Sequence, residues 1–192
     1  MKNALILHGT NNDSQKNWFQ WLSGELQKRG FKTWVPDLPG ADCPNPKIYN
    51  EFLLNSQWDF NSGSLIVGHS SGAVEILNLL QHLPDNVSIN TAILVGAFMD
   101  DLGAGELRHL FDEEFNFEKL KTKAQRFIFI HSDNDPYCPL EHAEYLSEKL
   151  GAELIVVPGE AHFSISTAGD KYKEFPLLIE LISQFYSNSS MK

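Results

Sequence analysis

Six short apolar runs alternate with segments of helical periodicity along this chain of 192 residues. Each run is almost continuously apolar, which is typical of a strand buried on both faces of a parallel sheet. The predicted strands cover residues 3–7, 32–36, 64–67, 91–97, 126–131 and 153–157. This alternation predicts a doubly wound α/β fold with about six mostly parallel strands and helices on both faces.

The helical segments between these runs each carry one apolar face. They are predicted near residues 18–26, over 73–83 with a stop at Pro84, over 140–149, and from Pro176 onward. The connection over 98–125 is too short for a second domain and predicts a small flap. We therefore expect a single domain over 1–186 without a large cap, followed by a flexible tail over 187–192.

Composition excludes several classes of partner. A formal net charge of −10 argues against nucleic acid and anionic membranes as partners. Cys43 and Cys138 form no CxxC pair, so neither a disulfide framework nor a zinc site is expected. No apolar run approaches the roughly eighteen residues of a membrane span, and the apolar stretch 4–7 is too short for a signal peptide. We expect a cytoplasmic protein without a cofactor.

A G-x-S-x-G motif stands directly between the third predicted strand and the helical pattern that follows it. The motif reads Gly68-His69-Ser70-Ser71-Gly72. A sharp strand-to-helix turn strains the central residue, and small residues two positions away on either side let strand and helix approach closely. This context predicts that the hydroxyl of Ser70 is presented at the top of the sheet as a nucleophile. The alternative is a glycine-rich turn in which Ser70 is an ordinary helix N-cap.

A serine nucleophile needs a base, and the loops at the carboxyl ends of the strands must supply it. Of the seven histidines, His162 lies in the loop after the last predicted strand and is the candidate base. The remaining histidines fit surface, packing or turn positions: His8, His69, His82, His109, His131 and His142.

The loop after the fifth predicted strand offers two acids that could orient the base, Asp133 and Asp135. Asp135 is favoured because Pro136 holds it in an extended conformation, whereas Asp133 also fits a turn-forming role. The order Ser, Asp, His along the chain is that of α/β-hydrolases. The spacing His131-x-Asp133-x-Asp135 also suggests a metal site, but no second cluster completes it, so we expect no metal.

Two backbone amides are candidate donors for an oxyanion. Ser71 follows the candidate nucleophile, and Thr10 lies in the loop that begins with His8-Gly9 after the first strand. Both loops flank the expected switch point of the sheet, where ligands bind. The alternative for residues 8–10 is a plain turn that ends the strand.

Together these motifs resemble the small serine hydrolases of the YdeN and retinoblastoma-binding-protein-9 type, within the α/β-hydrolase superfamily. The matching segments are His8-Gly9, Gly68 to Ala73, Phe115 to Leu120, Ser132 to Pro136 with Pro139, and Gly159 to Phe163. The resemblance implies a compact core without the superfamily's first two antiparallel strands, and a triad of Ser70, Asp135 and His162. The chain contains no L-x-C-x-E peptide, so binding to the retinoblastoma protein is not expected.

The expected activity is that of a carboxylesterase-like serine hydrolase that cleaves a small ester, thioester or amide through an acyl-enzyme at Ser70. The same triad also serves peptidases, lyases and acyltransferases. A different class is a non-catalytic binding protein with an idle triad on the same scaffold. A flavodoxin-like or response-regulator-like domain would need a phosphate or flavin loop, and none is found in the sequence.

Overall fold

The computed structural model describes residues 1–186, and the predicted tail over 187–192 lies outside them. Its centre is a six-stranded sheet in the order β2-β1-β3-β4-β5-β6, in which every neighbouring pair is parallel. In chain order the strands are Asn3–Leu7 (β1), Lys32–Trp34 (β2), Ser64–His69 (β3), Ile89–Val95 (β4), Ala124–His131 (β5) and Glu153–Val156 (β6). The predicted α/β fold is confirmed.

Within residues 1–186, seven α-helices and two short 3₁₀ helices lie between the strands or follow the last one. The α-helices are Phe19–Lys28 (α1), Pro46–Leu54 (α2), Ser71–His82 (α3), Phe117–Lys123 (α4), Leu140–Leu150 (α5), Ile165–Ala168 (α6) and Pro176–Tyr186 (α7). The 3₁₀ helices are Gly105–Phe111 and Asp170–Lys173. Helix α5 ends at Gly151, whose φ of 61° is the left-handed conformation that commonly closes a helix.

Helix α2 is an element for which no prediction was made. It carries ordinary start signals, because the Asn45 side chain accepts the amide of Lys47 at 3.0 Å and Pro46 occupies the first turn. Several predicted strand bounds also differ from the structure. Strand β2 stops at Trp34 rather than residue 36, and β4 stops at Val95 because Gly96 turns the chain with a φ of 61°.

Apolar side chains cover both faces of the sheet. On one face α3 packs with residues such as Leu77 and Leu80 against Ile66 and Leu94. On the other face α1 and α7 form a second cluster that includes Trp18 and Leu178. The helices therefore lie on both sides, as expected for a parallel sheet whose strands are buried on both faces.

The connection between β4 and β5 forms a small flap over the carboxyl edge of the sheet. Phe98, Leu107 and Leu110 pack there with Val74 of α3 and Cys138 in a separate apolar cluster. This flap is the part of the fold that stands beside the candidate site. Among residues 1–186, no helix is both long and apolar enough to cross a membrane.

Candidate active site

Ser70 occupies a strained turn between β3 and α3, with φ 57° and ψ −126°. The turn depends on its two glycines. A Cβ at Gly68 would lie 2.4 Å from the carbonyl oxygen of Gly72, and a Cβ at Gly72 would lie 2.4 Å from that of His8. The Ser70 side chain makes no capping hydrogen bond to α3 and instead lines a cleft. The chain therefore makes a strained strand-to-helix turn at Ser70, and the side chain of this N-cap residue does not cap α3.

The loop after β1 packs directly against this turn. A Cβ at Gly9 would lie 2.8 Å from Cβ of Ser70, so only glycine fits there. The Thr10 hydroxyl donates to Oγ of Ser71 at 2.8 Å, which ties the two loops together. Ser71 is the first residue of α3, and the first amides of a helix have no acceptor within it. This arrangement leaves the Ser71 amide available beside Ser70.

His162 and Asp135 form a nearly buried hydrogen-bonded pair. Nδ1 of His162 lies 2.7 Å from Oδ2 of Asp135, and only 7% and 1% of the two side chains are exposed. Since an ionised carboxylate only accepts, Nδ1 carries the proton and Nε2 is left as the basic nitrogen. The cleft is lined by both Ser70 and His162.

The carboxyl of Asp135 is held in its ionised form. Burial acts to raise its pKa, but the hydrogen bond from His162 and those from the amides of Cys138 and Tyr137 outweigh burial, so its pKa lies below the usual range. The two amides donate to Oδ1 at 3.0 and 2.9 Å. An ionised acid in this place stabilises a protonated imidazole.

Asp133 makes a different contact from Asp135. Its side chain is exposed, and its Oδ1 accepts the backbone amide of Gly159 at 2.8 Å. Of the two acids that the sequence left as candidates, only Asp135 is hydrogen-bonded to His162. Asp133 instead joins the loop after β5 to the loop that carries His162.

Three other histidines bind the backbone of the loops that form the site. Nε2 of His69 donates to the carbonyl of His162 at 2.7 Å, and Nε2 of His131 donates to that of Cys138 at 2.8 Å. Nδ1 of His8 donates to the carbonyl of Gly9 at 2.9 Å, while its Nε2 accepts the Leu38 amide. Burial lowers the pKa of all three, that of His69 to about 3. All three are therefore neutral groups that bind the backbone of these loops.

Gly96 is a further residue that faces the imidazole, and sequence reasoning missed it. A Cβ there would lie 3.0 Å from Cε1 and 3.2 Å from Nδ1 of His162. Its φ of 61° also favours glycine. The available signal was a glycine near the end of a predicted strand that leads to the carboxyl edge of the sheet.

One group of side chains within residues 1–186 has the spacing to hold a metal ion. The candidate ligand atoms of Asp135, Cys138 and His162 all lie within 4.8 Å of one another. The carboxylate and the imidazole are already bonded to each other, and burial raises the pKa of the Cys138 thiol well above its ordinary value. These features fit a hydrogen-bonded pair better than a ligand set. His131 and Asp133, whose spacing with Asp135 also suggested metal ligands, each bind a backbone group instead, the carbonyl of Cys138 and the amide of Gly159.

The cleft beside Ser70 has a volume of about 790 Å³. Its flap side is mainly apolar, with Phe98, Leu102, Ala104, Leu107 and Cys138. The loops after β1 and after His162 contribute mainly polar side chains, namely Asn11, Asn12, Lys16, Asn17, Ser164 and Ser166. A cleft of this size and mixed lining suits a small amphipathic molecule.

The sheet order, the strained serine turn and the buried acid–histidine pair together are the features of an α/β-hydrolase. A family model described as "Serine hydrolase" matches residues 4–184, and the chain belongs to this family. The resemblance inferred from the motifs is thereby confirmed. The match also excludes the flavodoxin-like alternative.

Two relatives match over most of their length. YdeN of Bacillus subtilis (strain 168) is 24% identical over 98% of both chains, and serine hydrolase RBBP9 of Rattus norvegicus is 25% identical over 76% of this chain and 77% of its own. The crystal structure of YdeN superposes with a TM-score of 0.90 over 98% of this chain and 100% of that one. Est1E from Butyrivibrio proteoclasticus, in a structure with ferulic acid bound, superposes with a TM-score of 0.74 at 16% identity, over 100% and 90% of the two chains.

Proposed function

We propose that this protein is a carboxylesterase-like hydrolase that cleaves a small ester, thioester or amide through an acyl-enzyme at Ser70. The observation that carries the proposal is the buried pair of His162 and Asp135, 2.7 Å apart, in the cleft that Ser70 also lines. A strained backbone at a candidate nucleophile supports it, because such strain persists only where the surrounding structure maintains it.

In the proposed first step, Oγ of Ser70 attacks the substrate carbonyl while Nε2 of His162 takes the hydroxyl proton. Asp135 keeps the imidazole oriented and stabilises its cation. The carbonyl electrons move to the oxygen, and the amides of Thr10 and Ser71 bind that oxyanion. Removal of one such donor typically lowers kcat by a factor of about 10²–10³.

The tetrahedral intermediate then collapses to the acyl-enzyme. His162 returns the proton to the leaving alcohol, thiol or amine, so that the bond to the leaving group breaks with charge balanced. A water molecule attacks the acyl carbon with His162 again as base, and the acid product leaves with Ser70 restored. No cofactor is needed for either half of this reaction.

Two further features bear on substrate and location. The cleft is lined by apolar side chains of the flap and by polar side chains of the loops. This lining favours a substrate with a compact acyl group. The ferulic acid bound in Est1E makes aromatic acyl esters a sensible part of a substrate screen. Both cysteines, exposed Cys43 and buried Cys138, are free thiols, which supports a reducing cytoplasm.

The test is covalent labelling of the purified protein with a fluorophosphonate, followed by intact mass measurement. Wild type is expected to gain one probe adduct, and Ser70→Ala is expected to gain none. Ser166→Ala is the matched control, because Ser166 is an exposed serine of the same cleft and should label like wild type. Peptide mapping should place the adduct on Ser70.

Failure of folded wild type to label would contradict the proposal. It would favour the alternative of a binding protein with an idle triad, which ligand screening by thermal shift would then address. Labelling of Ser70→Ala to the wild-type extent would also contradict it, since the activated serine would then lie elsewhere.

A further inference from the structure

The loop that carries His162 is bound to the loop after β5 by a run of side-chain contacts. Three successive backbone amides each donate to one side chain of the other loop. The pairs are Gly159 to Asp133 Oδ1 at 2.8 Å, Glu160 to Ser132 Oγ at 2.9 Å, and Ala161 to Asn134 Oδ1 at 2.8 Å. The pair of His162 and Asp135 follows directly as the fourth contact.

These contacts extend the pairing of β5 and β6 beyond the end of the sheet. The last backbone bond of this pairing runs from the amide of Val157 to the carbonyl of His131 at 2.8 Å. Past that point the side chains of residues 132–134 replace backbone carbonyls as acceptors. The two loops therefore stay joined as far as the acid and the base, although the offset between partners varies from 26 to 28 positions.

The backbone around His162 needs such support. Ala161 and Phe163 have φ values of 49° and 50°, although neither is glycine. Left-handed conformations at such residues persist only where the surroundings impose them. From the other side of the loop, His69 donates to the carbonyl of His162 and the Trp18 indole donates to that of Phe163 at 3.0 Å.

We propose that Ser132, Asp133 and Asn134 are positioning residues that hold His162 in reach of Asp135 and Ser70. Asn134 is the central one, because its Oδ1 accepts both the Ala161 amide and the Ser132 hydroxyl, each at 2.8 Å. This inference rests on the proposed function, for which the position of the imidazole matters. It also gives Asp133 a role distinct from that of Asp135.

Asn134→Ala tests the proposal, with Asn116→Ala as its matched control. Both are exposed asparagines whose Oδ1 accepts one backbone amide, that of Lys119 at 2.9 Å in the case of Asn116. Each substitution loses that contact, but the contact of Asn116 lies within the cap of α4, whereas that of Asn134 reaches the loop of His162. We expect kcat on p-nitrophenyl butyrate to fall at least about tenfold in Asn134→Ala with KM nearly unchanged, since small misplacements of a catalytic group are costly. Asn116→Ala should keep the wild-type kcat.

Conservative variants separate positioning from general destabilisation. Asn134→Asp retains an acceptor oxygen and should recover most of the activity that Asn134→Ala loses. Asp133→Asn should likewise recover most of the activity that Asp133→Ala loses. A loss that these variants do not recover, or an equal loss in Asn116→Ala, would overturn the proposal.

A spectroscopic readout makes the test independent of turnover. An imidazole N–H bonded to a carboxylate gives a low-field proton resonance, which His162→Gln would assign. We expect this resonance in wild type and Asn116→Ala, and its loss or broadening in Asn134→Ala. If wild type neither labels nor turns over but this pattern holds, the proposed hydrolase activity fails while the positioning role stands. An unchanged resonance and an unchanged kcat in Asn134→Ala would refute the positioning role.

Discussion

His69 should make the stability of the protein fall at acidic pH. The imidazole is fully buried next to the ring of His162, with 4.7 Å between the two ring centres. Burial, with a smaller contribution from His162, lowers the pKa of His69 from 6.5 to about 3. The folded protein therefore keeps this ring neutral at pH values where the unfolded chain binds a proton.

The sign and size of the effect follow from this difference in proton binding. The contribution of the neutral His69 ring to the free energy of unfolding is fully present above about pH 6.5. As the pH falls further, this contribution declines by about 1.4 kcal/mol per pH unit until the pKa of the folded state is reached. Between pH 7.5 and pH 5.0 the loss amounts to about 2 kcal/mol. This value is insensitive to the folded pKa as long as that lies well below pH 5.

The assay is urea unfolding of wild type and His69→Gln at both pH values. Glutamine keeps an N–H donor and does not titrate, so wild type should lose about 2 kcal/mol more than the variant between pH 7.5 and pH 5.0. Groups such as His8 and His131, whose pKa values burial also lowers, contribute equally to both proteins. Ser166→Ala, which removes no titratable group, should show the wild-type pH dependence. An identical pH dependence in wild type and His69→Gln would refute the reasoning.

Three substitutions test other contacts. Gly96→Ala places a Cβ about 3.0 Å from the His162 ring, so hydrolysis or fluorophosphonate labelling should slow at least about tenfold while circular dichroism stays unchanged. The free energy of unfolding of Ser70→Gly, measured in urea, should exceed that of Ser70→Ala by about 1–2 kcal/mol, because glycine adopts the φ of 57° without strain. Lys123→Met should cost about 1–3 kcal/mol in urea unfolding without affecting labelling, because its buried Nζ donates to the carbonyls of Leu83 and Pro84. A wild-type rate in Gly96→Ala, equal stability of Ser70→Gly and Ser70→Ala, or wild-type stability of Lys123→Met would contradict the corresponding prediction.

Several parts of the fold could be predicted because they depend on local patterns. Buried parallel strands are apolar throughout, so β1, β3 and β5 were visible as runs of residues. The turn around Ser70 was predictable because its motif is short, and Gly68 is required by a contact with Gly72 only four positions away. By contrast, no prediction was made for α2, although it buries Tyr49, Asn50 and Leu53 on one side.

The choice between Asp133 and Asp135 shows where local reasoning ends. Both lie in one loop two positions apart, and both accept hydrogen bonds from the loop of His162. Their different contacts depend on how β5 and β6 are aligned, and that alignment involves residues more than twenty positions apart. Gly96 was missed for the same reason, since its neighbour across space is His162.

The sequence by itself determined the alternation of strands and helices, the turn at Ser70 and the family, because each is visible in short motifs of neighbouring residues. Pro136 and the family resemblance already favoured Asp135 as the acid, but only the tertiary structure showed its bond to His162, which glycine faces that ring and how residues 132–134 hold residues 159–161. The physical reason is that a hydrogen bond of 2.7 Å depends on the relative placement of two strands. That placement is set by packing across the whole sheet.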